Sequence, residues 1–187
     1  LLVNNSSTAA TASGTITLTT AAIFGGTGNA TASGIISSTG TLKKMGTGTW
    51  TFSGVNTFSS ITTISEGTLK LGNAAGLGTT TAVTGITIIA SGASVDLNGV
   101  ASAEPFTISG SLVNNSATAA TASGAITLTT AAIFGGTGDA TVSGVISSTG
   151  TLTKSGAGTW TLTGTNTYTN TTAIDAGTIK VGAATTV

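Results

Sequence analysis

Residues 158–170 read GTWTLTGTNTYTN, and every second residue from Thr159 to Thr169 is threonine. Successive side chains of a β-strand point to opposite faces. Thr159, Thr161 and Thr163 therefore share one face, with Trp160 and Leu162 on the other. Threonine is β-branched and stiff at χ1, which suits a half-exposed pleated surface. The spacing predicts a strand with a wet face and a dry face. Residues 48–60, lying 110 positions earlier, read GTWTFSGVNTFSS and carry almost the same pattern.

The similarity extends outward from these two stretches. Residues 2–72 align without a gap on 112–182, and 52 of the 77 alignable positions are identical. Several differences keep an apolar body: Ile35 becomes Val145, Phe52 becomes Leu162, Phe58 becomes Tyr168, Leu69 becomes Ile179 and Leu71 becomes Val181. Core positions are expected to vary in this way. Charged positions drift: Glu66 becomes Ala176, Lys43 becomes Thr153 and Asn29 becomes Asp139. Residues 1–110 are read as a first repeat unit and 111–187 as a second, truncated one. Together they would form one continuous solenoid, a window of a longer chain.

Within one period, short strand-like pieces begin at 15, 39, 62, 85 and 106, about 20–24 residues apart, and the series restarts at 125. Gly25, Gly26, Gly46, Gly54, Gly67, Gly92 and Gly99 fall between pieces, where turns need positive φ. No stretch has sustained helical periodicity with caps, and NAAGLG at 73–78 reads as a loop. Two architectures suit evenly spaced short strands: an immunoglobulin-like sandwich, or a solenoid of stacked coils. The strands are too short and the turns too glycine-dependent for hairpins. Asn98-Gly99 is the one strong two-residue hairpin signal. Neutral side chains can stack above one another without repulsion. The reading is an all-β parallel β-solenoid with about five coils per 110-residue repeat, each period about 24 Å long at a 4.8 Å coil spacing.

Composition narrows function. Charged residues make up 5% of the 187 residues, the formal net charge is +0, and cysteine, histidine and arginine are absent. Nucleic acid binding needs clustered cations, and so does an anionic membrane surface. Thr, Ser or Gly interrupts every apolar run well short of a membrane-spanning length, so no membrane insertion of this segment is expected. No signal peptide or lipidation motif is visible, and the chain starts at Leu1. Absent cysteine excludes a disulfide scaffold.

Residues 154–182 read KSGAGTWTLTGTNTYTNTTAIDAGTIKVG. This resembles the autotransporter-associated β-strand repeat, also called the passenger-associated transport repeat, of large bacterial surface and secreted proteins. Lys154, Gly156, Gly158, Leu162, Gly164, Asn166, Tyr168, Thr172 and Gly177 fit its pattern. So do Lys44, Gly46, Gly48, Gly54, Asn56, Thr62 and Gly67 in the first copy. Asn170 and Ser60 stand where the family usually has glycine, and Phe58 where it has tyrosine. ASGASVDLNG at 90–99 is similar to another element of such passengers. The resemblance implies a right-handed β-helix, export, and a cell-surface or extracellular location.

The residues offer little chemistry. The titratable side chains with acid or amine function are Glu66, Asp96, Glu104, Asp139 and Asp175 with Lys43, Lys44, Lys70, Lys154 and Lys180. Glu66 and Asp139 lose their acid in the other copy. An enzyme would need Glu66, Asp96 and Glu104 to share a groove. GGTGDAT at 135–141 is close to a calcium nonapeptide but reads better as a glycine turn, and His or Cys metal sites are impossible. Trp50 and Trp160 read as core, although they could stack on sugars. Asn4, Asn5, Asn114 and Asn115 lie in N-N-S sequons, but turn capping suits them better. Lys70 and Lys180 read as solvated turn charges, and Lys43-Lys44 as no patch. No catalytic, cofactor-binding or metal residue is assigned.

The expected function is a structural rod, fibre or stalk outside a bacterial cell. Ile16, Leu18, Ile23, Phe24, Leu42, Trp50 and Phe52 would fill its interior. Its partners would be further copies of itself, end to end or lateral, in fibres. An adhesin for glycans or neighbouring surfaces is the alternative. Ice binding is a third, resting on Thr17/Thr19, Thr49/Thr51, Thr127/Thr129 and Thr159/Thr161/Thr163; it would need such a pair on one face of every coil.

Overall fold

The computed structural model describes residues 1–79 and 85–182. Among them are 24 strands, none longer than five residues, and no helix. Every described strand pair is parallel, so the sandwich is excluded and the chain is a β-solenoid. Each coil carries up to three strands on three faces. The first face stacks eight strands from Leu2–Val3 to Ile146–Ser147. The second stacks nine, from Ala10–Ala12 to Thr172–Ile174, so there are about nine coils. The third position holds the pair Ile16–Thr17 and Ile36–Ser37, then five strands from Ala101–Ser102 to Thr178–Val181.

Phe24 pairs with Lys44, Lys44 with Ile64 and Ile108 with Leu128, so most coils carry the register from i to i + 20. Other steps run from i + 17 at Ser94↔Ser111 to i + 26 at Thr68↔Ser94, with Ile64↔Ile89 at i + 25. The evenly spaced strand-like pieces of the sequence mark mainly one strand per coil. The other strands are short segments of Ala, Thr and Ser, such as Ala30–Ala32 and Ala101–Ser102, too brief to show a period.

The 110-residue repeat does not return to the face on which it began. From Leu42–Lys44 the first-face ladder takes five steps to Ile146–Ser147. The counterpart of Leu42–Lys44 is 152–154, which pairs on the second face. Likewise Thr49–Phe52 lies on the second face and its counterpart Thr159–Leu162 on the third. Equivalent segments are thus related by five coils plus one face, and they never stack on each other.

The opening alternation is realised in full. From 158 to 169, Gly158, Trp160, Leu162, Gly164, Asn166 and Tyr168 point inward, and all six threonines point outward. Leu18, Phe24, Leu42, Trp50 and Phe52 are buried as expected. Ile16 packs against the core only in part, and Ile23 faces outward between Ala22 and Phe24. Ile35 and Val145, apolar in both copies, are also outward and exposed, contrary to the expectation that such positions belong to the core. Asn98-Gly99 has positive φ at both residues but makes no hairpin. It turns a corner between Ser94–Asp96 on the second face and Ala101–Ser102 on the third.

Core substitutions between the copies compensate across the ladder. Ala32 stacks on Phe52 in the first copy, and Val142 on Leu162 in the second. A small-large pair is exchanged for two middle-sized residues, which holds the enclosed volume nearly constant. The aromatics adjust: Phe24 meets Trp50 edge-on at 5.1 Å, whereas Phe134 stacks on Trp160 at 4.7 Å.

Candidate functional site: the buried polar side chains of the motif

Lys44 and Lys154 are the first residues of the motif and lie wholly inside the solenoid. Both close a strand of alternating burial, at the inward position. Lys44 Nζ donates to the carbonyls of Met45 at 3.0 Å, Gly46 at 2.7 Å and Glu66 at 3.0 Å. Lys154 Nζ repeats this with Ser155, Gly156 and Ala176 at 2.7, 2.7 and 3.3 Å. An ammonium has three N–H donors and here finds three carbonyls on two adjacent coils. Burial pushes the Lys44 amine down to about 8, and Glu66 opposes that shift. Burial also lowers Lys154, opposed by Asp139. The three carbonyls offset the cost of burying each ammonium.

The motif glycines shape this cradle. Gly46 has φ +70° and a Cβ there would lie 2.5 Å from the Gly26 carbonyl oxygen. Gly67 has φ +65°, and its Cβ would press on the Gly46 carbonyl and the Lys44 amine. Any larger residue would have to displace backbone of the adjoining coil.

Asn56 spans three coils. Its Oδ1 accepts from Ile36 N–H at 2.8 Å and its Nδ2 donates to the Gly76 carbonyl at 2.7 Å. Asn166 Oδ1 accepts equally from Ile146 N–H at 2.9 Å. Asn4 and Asn114 are buried turn caps: Asn114 Nδ2 donates to the Thr118 and Asp139 carbonyls, and Asn4 Nδ2 to those of Thr8 and Asn29. Asn4 and Asn114 are therefore consumed by the fold. Exposed Asn5 accepts from Thr27 N–H, and exposed Asn115 donates to Asp96 Oδ2.

The acidic residues do not converge. Glu66 sits in the corner between the first and second faces, and its Oε2 accepts from Gly46 N–H. Asp96 ends a second-face strand, and its Oδ1 accepts from Asn98 N–H and Asn115 N–H. Glu104 lies buried in the corner between third and first faces, where its Oε1 accepts from Thr87 Oγ1–H at 2.7 Å. Its Oε2 and Thr62 Oγ1 have no partner. Asp139, of the calcium-like GGTGDAT, caps Thr159 N–H as Asn29 caps Thr49 N–H, which explains how an acid and an amide exchange there. Among the described residues no group of three metal-ligating side chains occurs.

Trp50 and Trp160 are buried. Trp50 Nε1–H donates to the Gly25 carbonyl at 3.0 Å, whereas Trp160 Nε1 has no acceptor. The threonine pairs fall on different faces: Thr127 on the first, Thr49 and Thr51 on the second, Thr17, Thr159 and Thr161 on the third. They make no continuous ice-matching plane. Sequence reasoning missed the burial of Lys44, Lys154, Asp96 and Glu104. The signal available for the lysines was their position two residues after inward Leu42 and Leu152.

No curated protein and no solved structure matched the chain. The family model of the passenger-associated-transport-repeat matches residues 42–71 and 152–181, the segments that begin just before Lys44 and Lys154 and end on the strands bearing Leu69 and Ile179. Two segments of the chain thus match the passenger-associated-transport-repeat, and they are set on successive faces of one β-solenoid.

Proposed function

We propose that the chain is a structural segment of a secreted or surface-attached bacterial protein, a rigid extracellular rod that performs no catalysis. One observation carries the reading. The most specific polar residues of the motif, Lys44, Lys154 and Asn56, each direct a side-chain hydrogen bond into the backbone of an adjacent coil. They act as stitches between coils, and length can be added by repeating units because each coil contacts only its neighbours. A right-handed winding follows from the strong preference of parallel crossovers.

Negative-stain electron microscopy of tandem arrays of the 110-residue unit tests the reading. Rods should lengthen by about 26 Å per unit, five and a third coils at about 4.8 Å each. Compact particles whose width grows with unit number would contradict it. The adhesin reading has one feature in its favour: a polar groove of about 400 Å³ on the second face, lined by Thr31, Thr49, Thr51, Lys70, Asp96 and Asn115 among others. Reproducible binding on a glycan array, lost in Asn115→Ala, would promote it.

A further inference from the structure

Ile35 and Val145 are apolar in both copies yet point outward, and neither stands alone. Thr62, Thr87, Phe106 and Ile126 each donate their backbone N–H to the carbonyl one coil on, at Ile86, Pro105, Ala125 and Val145. Ile61, Ile86, Pro105, Ala125 and Val145 therefore form one column at the corner that opens the first face. Ile61 is 38% and Val145 42% exposed, Ala125 is exposed too, and Ile86 and Pro105 between them are half-buried. The outward column beside it is Thr63, Ile88, Thr107, Thr127 and Ser147, register partners in succession. Five coils of this face carry no charge; Lys43 lies one coil before them.

A second column lies at the corner that opens the third face. Thr57 N–H donates to the Ile36 carbonyl and Asn56 N–H to that of Ala75, which aligns Ile35, Val55 and Ala75. Ile35 is 46% and Val55 59% exposed. Because the repeat ends one face further round, Ile35 and Val145 are equivalent residues on different corners. The molecule has two apolar ridges, one face apart and staggered along the axis.

We propose that these ridges are lateral contact faces through which copies of this chain pack side by side. A five-coil ridge about 24 Å long and about 10 Å wide offers about 240 Å². That is well short of the roughly 800 Å² per partner of a stable interface between unlike proteins. A partner with the same coil pitch meets the ridge at every one of its five coils, and at this area the contact is weak and concentration-dependent. Another copy of this solenoid has that pitch, and the uncharged faces bring no repulsion. Two ridges let each molecule hold two neighbours, which gives bundles in place of pairs. Lateral packing goes beyond the rod reading, which a monomeric rod would leave intact.

Sedimentation equilibrium of the full chain over a concentration series is the test. The wild type should rise past twice its 17.7 kDa mass. Ile61→Lys/Val145→Lys and Ile35→Lys/Val55→Lys should each stop at dimers, and the fourfold variant at monomers. Thr153→Lys, which restores the lysine found at the equivalent position 43, should assemble like the wild type. Circular dichroism melts check folding. Should a lysine variant unfold, Ile61→Thr and Val55→Thr install the residues that the second copy carries at 171 and 165 and should weaken assembly in the same direction. A monomeric wild type overturns the proposal. So does assembly that ignores the ridge charges, or that is abolished only by Leu2→Lys at the end of the stack, which would make the contact end to end.

Discussion

Raising the pH from 4.5 to 8 should destabilise this solenoid through one residue, Glu104. Its carboxyl is buried, and burial pushes it up from 4.5 to about 7, with the Thr87 hydrogen bond pulling the other way. The neighbouring strands Thr62–Ile64, Thr87–Ile89, Phe106–Ile108 and Ala120–Ala122 carry no titratable side chain that could stabilise the anion. Between pH 4.5 and 7 the native state keeps a proton that the unfolded chain has released. Stability from this group is therefore full below 4.5 and is lost as the pH rises through 7. At 1.36 kcal/mol per unit the loss is about 3 kcal/mol. For a chain of this size that lowers the melting temperature by roughly 6–12 °C. Thermal melts at pH 5, 6, 7 and 8 measure it, with Glu104→Gln as the neutral reference whose curve should be flat. Above pH 8 Lys44, lowered to about 8, makes stability rise with pH up to its ordinary 10.5 and would mask the effect. A wild-type curve that is level or rising, or a Glu104→Gln curve with the wild-type slope, refutes the reasoning.

Asn56→Leu leaves Ile36 N–H and the Gly76 carbonyl buried without partners, and denaturant titration should show a loss of about 2–6 kcal/mol. Gly46→Ala should lose more than about 2 kcal/mol, from a left-handed φ and contact with the Gly26 carbonyl. Gly14→Ala, with nothing within 4 Å of its Cβ, should be neutral or stabilising by up to about 1 kcal/mol. Trp50→Phe should cost about 1 kcal/mol more than Trp160→Phe, since only the first breaks an N–H hydrogen bond. Equal losses in the tryptophan pair would show that the two rings share one environment.

The fold was legible where side-chain alternation is long and chemically sharp. The run from Gly158 to Thr169 announces its inward and outward residues, and the repeat announces stacking. Legibility failed where inside and outside are occupied against type. Lys44 and Lys154 stand two residues after inward Leu42 and Leu152, which marks an inward position, but the next-coil carbonyls that complete each lysine's cradle are not visible along the chain. Glu104 is buried by the coil after it, whose Gly124 packs on its backbone. Ile35 and Val145 look like core because both copies keep them apolar, yet the alternation places Ile36 and Ile146 inward in their stead. The advance of the repeat by one face was hidden as well. It depends on which residues pair across coils, and the 110-residue period alone does not fix that.

Coils stack parallel and in register, with equivalent repeats on successive faces. The chain has no cysteine, so paired cysteines test this arrangement directly. Stacked register partners should lie near the 4.8 Å strand spacing, inside the range a disulfide can bridge. Thr107/Thr127 on the first face, Thr31/Thr51 on the second and Thr141/Thr161 on the third should each close on oxidation when changed to cysteine. Thr51→Cys/Thr161→Cys, equivalent residues on different faces, should stay open. Failure of the three stacked pairs, or closure of the last, would contradict the account.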